Sequence, residues 1–154
     1  MESKLIKVTR QDLNRVFCKL GGLSRPSRSE RGVEGDDIGG ASSQECEKQL
    51  RRILCDFYTR MSKDIMIGFF FTGKSPEEIA EHQFHFLMRA MGASASYEGR
   101  SPVQAHADLP PILSGHFDRR LQILQETLTD FNLDANSIQI WLEFENSFRD
   151  VLVK

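Results

Sequence analysis

At 154 residues the chain is long enough for one domain with a real core and short for two. With 27% charged residues and a formal net charge of -2, it carries no field that would draw it to nucleic acid or an anionic membrane, so neither partner is expected. The longest apolar run, Ile65 to Phe71, is interrupted by Gly68 and is too short to span a bilayer. Glu2, Lys4 and Lys7 leave no apolar signal core at the start, so a soluble, cytoplasmic protein is the expectation.

The first predicted element is a short amphipathic helix started by Thr9, with Leu13, Val16, Phe17 and Leu20 at three- and four-residue steps, and ended by Gly21 and Gly22. From about Ser24 to Ser43 the chain is Ser, Arg, Gly, Glu and Asp with almost nothing to bury, which predicts a flexible linker or a long loop. Residues 1–43 therefore read as an N-terminal extension and 44–154 as the main domain. The extension could cap the core as an added helix, mediate a dimer, or be a disordered arm. Three cysteines, Cys18, Cys46 and Cys55, show no CxxC spacing and no neighbouring histidine, so reduced thiols are expected rather than disulfides or a zinc site.

Beyond Ser43 the pattern is helical. Leu50, Ile53, Leu54, Phe57, Tyr58 and Met61 form one continuous apolar face, which places Tyr58 inward. Ser75-Pro76-Glu77-Glu78 supplies an N-cap, a proline at the first helical position and a capping glutamate for a helix running to about Met91 and stopping at Gly92. Its inner stripe is read as Ile79, His82, Phe86 and Ala90, with Gln83 and Leu87 beside it. A third long helix carries Leu113, Phe117, Leu121, Leu124 and Leu128, with Arg120 inside the stripe. The last, about Ala135 to Val153, is expected to bury Ile138, Trp141, Phe144, Phe148 and Val151 and to present Glu143, Glu145, Arg149 and Asp150 elsewhere. No strand-period segment of useful length competes, and the fold class is all-α.

His106 stands in the run Tyr97-Glu98-Gly99-Arg100-Ser101-Pro102-Val103-Gln104-Ala105-His106-Ala107-Asp108-Leu109-Pro110-Pro111. The polar, glycine-containing stretch before it makes a loop, and the two prolines after it stop any helix within a turn, so the imidazole is held on a very short element. Taken alone, a histidine near a turn is more often a surface residue than a ligand. In company with Phe57-Tyr58, Ile67-Gly68-Phe69-Phe70-Phe71, Glu81-His82 and Ala105-His106, in that order and spacing, it resembles the truncated haemoglobins over about Gln44 to Lys154. These are small two-over-two helical globins of bacteria. His82 together with Asp108-Leu109-Pro110-Pro111 looks most like group III.

The resemblance implies a truncated globin fold, a two-over-two helical sandwich, with a b-type haem whose iron is held by His106. It implies a distal pocket of Tyr58, His82 and Arg120, and cofactor contacts from Phe57, Phe70, Phe71, Phe86, Arg100, Leu109, Phe117 and Trp141. Phe71 fits the corner phenylalanine better, with Phe70 the alternative. Arg120 replaces the tryptophan usual in group III, and a buried unpaired guanidinium is very unfavourable. Its partner could be a haem propionate, Asp56 or another acid, solvent or the bound ligand, or the side chain could snorkel outward. Reaching the pocket, it would favour anionic ligands.

Two functions follow. One is reversible binding of dioxygen or other small ligands such as NO, CO or cyanide, as in oxygen transport, with peroxidase-like or NO-detoxifying activity left open and an external reductase needed for sustained turnover. The other is a globin-fold sensor or interaction module, with or without haem.

Overall fold

The computed structural model describes residues 8–21, 43–92, 106 and 109–154. Within them the chain forms α1 (Arg10–Leu20), α2 (Ser43–Lys63), a 3-10 turn (Gly68–Phe71), α3 (Pro76–Ala90), α4 (Ser114–Asp130), α5 (Ala135–Asn146) and α6 (Arg149–Leu152). Helices α2 and α3 make one closely packed pair, α4 and α5 a second, and α2 lies against α4 where the pairs meet. This is the all-α, two-over-two arrangement expected. Among the described residues no helix is long and apolar enough to cross a membrane.

Local chemistry sets the ends of these elements. The Thr9 hydroxyl accepts from Asp12 N at 3.1 Å while Asp12 Oδ2 accepts from Thr9 N at 2.9 Å, a reciprocal cap that satisfies two otherwise orphaned donors. Its apolar stripe, Leu13, Val16, Phe17 and Leu20, is buried against α2 and α5, so α1 is an added helix of the core. Most of the expected linker, and Arg100 and Asp108, lie outside the described residues. In α2 the predicted face of Leu50, Ile53, Leu54, Phe57, Tyr58 and Met61 is the buried face. Gly68 opens the 3-10 turn because a Cβ there would stand 2.8 Å from the Ser62 carbonyl oxygen. Pro76 occupies the first turn of α3 behind the Ser75 cap, and Gly92, at φ 75°, takes the left-handed backbone that follows the helix.

Two helices turn a different face inward from the one periodicity suggested. In α3 the buried residues are Ala80, Phe84, Leu87 and Met88, packed toward α2. Ile79, Gln83, Phe86 and Ala90 form a half-buried stripe beside them, and His82 is exposed, roughly opposite the buried face. In the last segment the helix breaks after Asn146 and resumes at Arg149. Its buried residues are Ser137, Trp141 and Glu145, while Val151 is 58% exposed. On α4, Leu121 is half-buried and Ile123 and Thr127 go inward instead.

Candidate functional site

Tyr58 is the centre of the arrangement. Its position on the inner face of α2 leaves it 6% exposed, with the Phe57 ring at 5.2 Å and the Phe71 ring edge-on at 6.1 Å. The 3-10 turn thereby resolves the two corner phenylalanines. Phe71 faces Tyr58, whereas Phe70 stacks at 4.1 Å on Phe69 and meets His116 at 5.1 Å, which turns it toward the start of α4.

Arg120 reaches this group from α4. Its Cζ lies 5.2 Å from the centroid of the Phe57 ring, which also packs on Tyr58. Its Nη1 donates to Glu145 Oε2 at 2.6 Å. Of the partners left open by the sequence, another acid is the one found. Glu145 is only 4% exposed, so a carboxylate expected on the outer face of the last helix is a core residue. Burial pushes the Tyr58 phenol above its ordinary value; the Arg120 cation opposes that shift and the Glu145 anion adds to it. For Arg120, burial acts downward, and the Glu145 carboxylate outweighs it and holds the guanidinium protonated.

The remaining expected residues are placed as follows. His106 is half-buried in a helical turn, with its carbonyl accepting from Leu109 N at 3.2 Å, and Leu109 packs against the core. The strap continues to Ile112, which pairs with Val153 and whose carbonyl accepts from Lys154 N at 2.9 Å. Phe117 is buried beneath the Arg149 guanidinium, 4.7 Å from its ring. Phe86 meets Phe148 at 5.8 Å, and Phe148 meets Phe144 at 5.3 Å.

Two expected contacts are corrected. His82 does not share the inner stripe, because α3 rotates to seat the longer apolar series of Ala80, Phe84, Leu87 and Met88 on α2. With His82 exposed, the residue that carried the group III resemblance leaves the Tyr58 group. Trp141 lines an apolar crevice with Leu13, Val16, Phe17, Leu20, Leu50, Leu87 and Met91, so its indole packs on α1, a helix outside the resemblance. Glu145 and the pair Phe144–Phe148 were missed as site residues. The signal for Glu145 was Arg120 itself, since a cation in an apolar stripe requires an acid on a facing helix.

The donor set suits a flat apolar group bearing a metal. Phe71, Phe86, Phe144 and Phe148 are all half-buried aromatic rings, and His106 is a half-buried imidazole. Among the described residues no three His, Cys, Asp or Glu side chains converge as a metal site. A haem brings its own four equatorial nitrogens and needs only one imidazole from the protein.

Comparison with known proteins points the same way. The family model described as bacterial-like globin matches residues 36–153. A group 1 truncated hemoglobin of Chlamydomonas moewusii is 30% identical over 83 residues, 53% of this chain and 48% of the relative. The chain thus spans about half the length of the curated relative it matches.

Proposed function

Because the chain belongs to the bacterial-like globin family, we propose that it holds a b-type haem through His106 and binds dioxygen or another small ligand such as NO, CO or cyanide beside Tyr58. The observation that carries this reading is the buried phenol of Tyr58 packed against the Phe57 and Phe71 rings, with Arg120 over the Phe57 ring, within a family match that also contains His106. Held by His106, haem would supply an iron that binds diatomic ligands.

The chain's own residues do the rest. Phe71, Phe86 and Leu109 are half-buried and offer apolar surface against which a porphyrin can lie. Tyr58 offers a hydroxyl proton to a ligand that accumulates negative charge, worth about 0.5–1.5 kcal/mol for an ordinary hydrogen bond and more when charge-assisted. The reading includes a cytoplasmic setting and an external electron donor for any sustained turnover.

Absorption spectra of the ferric, ferrous and CO-bound protein, recorded beside His106→Ala, test it. The expected result is a five-coordinate ferrous form that takes up CO in the parent and a loss of haem or of the imidazole-ligated spectrum in the variant. Unchanged proximal coordination in His106→Ala would overturn the assignment, and failure to take up added haemin would favour the haem-free module.

A further inference from the structure

Beside its buried face, α2 carries a second stripe that serves neither the core nor the Tyr58 group. Arg52, Cys55, Asp56 and Thr59 stand at i, i+3, i+4 and i+7, and with the end of α4 they line a surface cavity of about 520 Å³. That volume lies within the range of small-molecule sites. Arg60 builds one end of it. Its Nε meets Asp56 Oδ2 at 2.9 Å and its Nη2 meets Asp130 Oδ2 at 2.8 Å, a bridge that ties α2 to the end of α4.

The charges of the cavity are separated along its length. At the Arg60 end one cation faces two anions, and both carboxylates meet it through Oδ2, which leaves Oδ1 of each able to accept from a ligand. At the other end Arg52 is exposed and, among the described residues, forms no ion pair. Between these poles lie the half-buried Cys55 thiol and Thr59 hydroxyl, with the half-buried Phe131 ring as an apolar part of the wall. The helical rise from position 52 to position 59 is about 10 Å, the length of about three extended residues.

We propose that this cavity binds a short zwitterionic peptide of two or three residues, with its carboxylate on Arg52, its ammonium on Asp130 and Asp56, and its middle against Phe131 and Cys55. A simple anion would meet the two aspartates, and a simple cation would leave Arg52 unmatched, so a molecule with both charges about 10 Å apart is selected over either. Thr59 adds a hydroxyl that can donate to or accept from the peptide backbone. The site uses no residue to which the haem reading gives a role, so either can fail without the other.

Cys55 reports occupancy from within the cavity. In a Cys18→Ser background it is the accessible thiol, because Cys46 is 2% exposed. With trialanine as the probe, alkylation of Cys55 by N-ethylmaleimide, located by peptide mass mapping, should slow about fivefold when the peptide is at about four times its dissociation constant, since the free fraction falls as one plus that ratio. Trialanine acetylated at its amino end or amidated at its carboxyl end should each need about ten times the concentration for the same protection, as should the parent peptide with Arg52→Gln or with Asp130→Asn. Both positions are exposed, so neither variant should lower the melting temperature appreciably. Lys74→Gln, a change of one charge away from the cavity, should leave protection as it is. No protection by trialanine at millimolar concentration, equal protection by the blocked peptides, or full protection in Arg52→Gln would each overturn the proposal.

Discussion

Asp64 illustrates how one side chain joins the two helix pairs. It follows α2, and its carboxylate accepts from Arg119 Nη2 at 2.7 Å and Nε at 3.0 Å, from Met66 N at 2.9 Å and from Ile67 N at 3.2 Å. The Arg119 contact, with the backbone amides, holds the carboxyl below its ordinary value. A carboxylate with a depressed folded pKa contributes stability above its unfolded value of about 4 and loses it as pH falls through the folded one. Asp64→Asn is therefore expected to lower stability at pH 7 by about 1–2 kcal/mol, with parent and variant converging at acid pH. Urea denaturation at neutral pH and below pH 3 checks this, and an equal deficit at both would refute the linkage. The same reasoning at Arg120 marks where sequence stopped short. The need for a partner could be read from a cation in an apolar stripe, but not which acid met it, because several acids are compatible with helical spacing and only packing selects Glu145.

At the scale of elements, caps and uninterrupted apolar faces were legible and competing faces were not. Thr9, Ser75 and Pro76 begin their helices as their chemistry demands, and the whole buried face of α2 follows its period. Helix α3 has two overlapping stripes, and counting periods cannot rank them. The one that fits α2 wins, leaving His82 in solvent. In α5 the polar Glu145 disguises an inward face, because an ion pair substitutes for apolar packing there. Helix α1 gives the prediction proper to this scale. Leu20, at 1% exposed, is among the most buried side chains, although it stands in a segment that reads as an appendage. Leu20→Ala should destabilise the whole protein by about 2–5 kcal/mol, and Thr9→Ala by about 1 kcal/mol through loss of the cap. One cooperative thermal transition shifted downward is the expected result; an unshifted main transition with early loss of α1 would show that the helix only rests on the core.

Across the whole molecule, the segment carrying His106 is held by the far end of the described chain. Pro110 and Pro111 cannot donate backbone hydrogen bonds, and among the described residues the strap is tied at Ile112 by later ones. It finds the parallel bridge between Ile112 and Val153 and the bond from Lys154 N to the Ile112 carbonyl. Arg149 strengthens the same corner by donating to Ser114 Oγ and Asp118 Oδ1 while covering Phe117. The break between α5 and α6 thus has a use, since a helix continuing straight would carry Arg149 and Val153 along its own axis. Lys154→Pro isolates this connection. It removes one N–H donor at an exposed position, and Val153, at φ -82° and ψ 133°, already has the extended backbone that a following proline favours. The loss of one hydrogen bond worth about 1 kcal/mol corresponds to about a fivefold change in an equilibrium. If His106 holds the cofactor, haem transfer from Lys154→Pro to an excess of an acceptor apoglobin should accelerate by about that factor, while the melting temperature of the haem-free protein stays nearly constant. Equal transfer rates would mean that the strap's anchorage does not govern His106, and a matching fall in melting temperature would mean that it serves the fold as a whole.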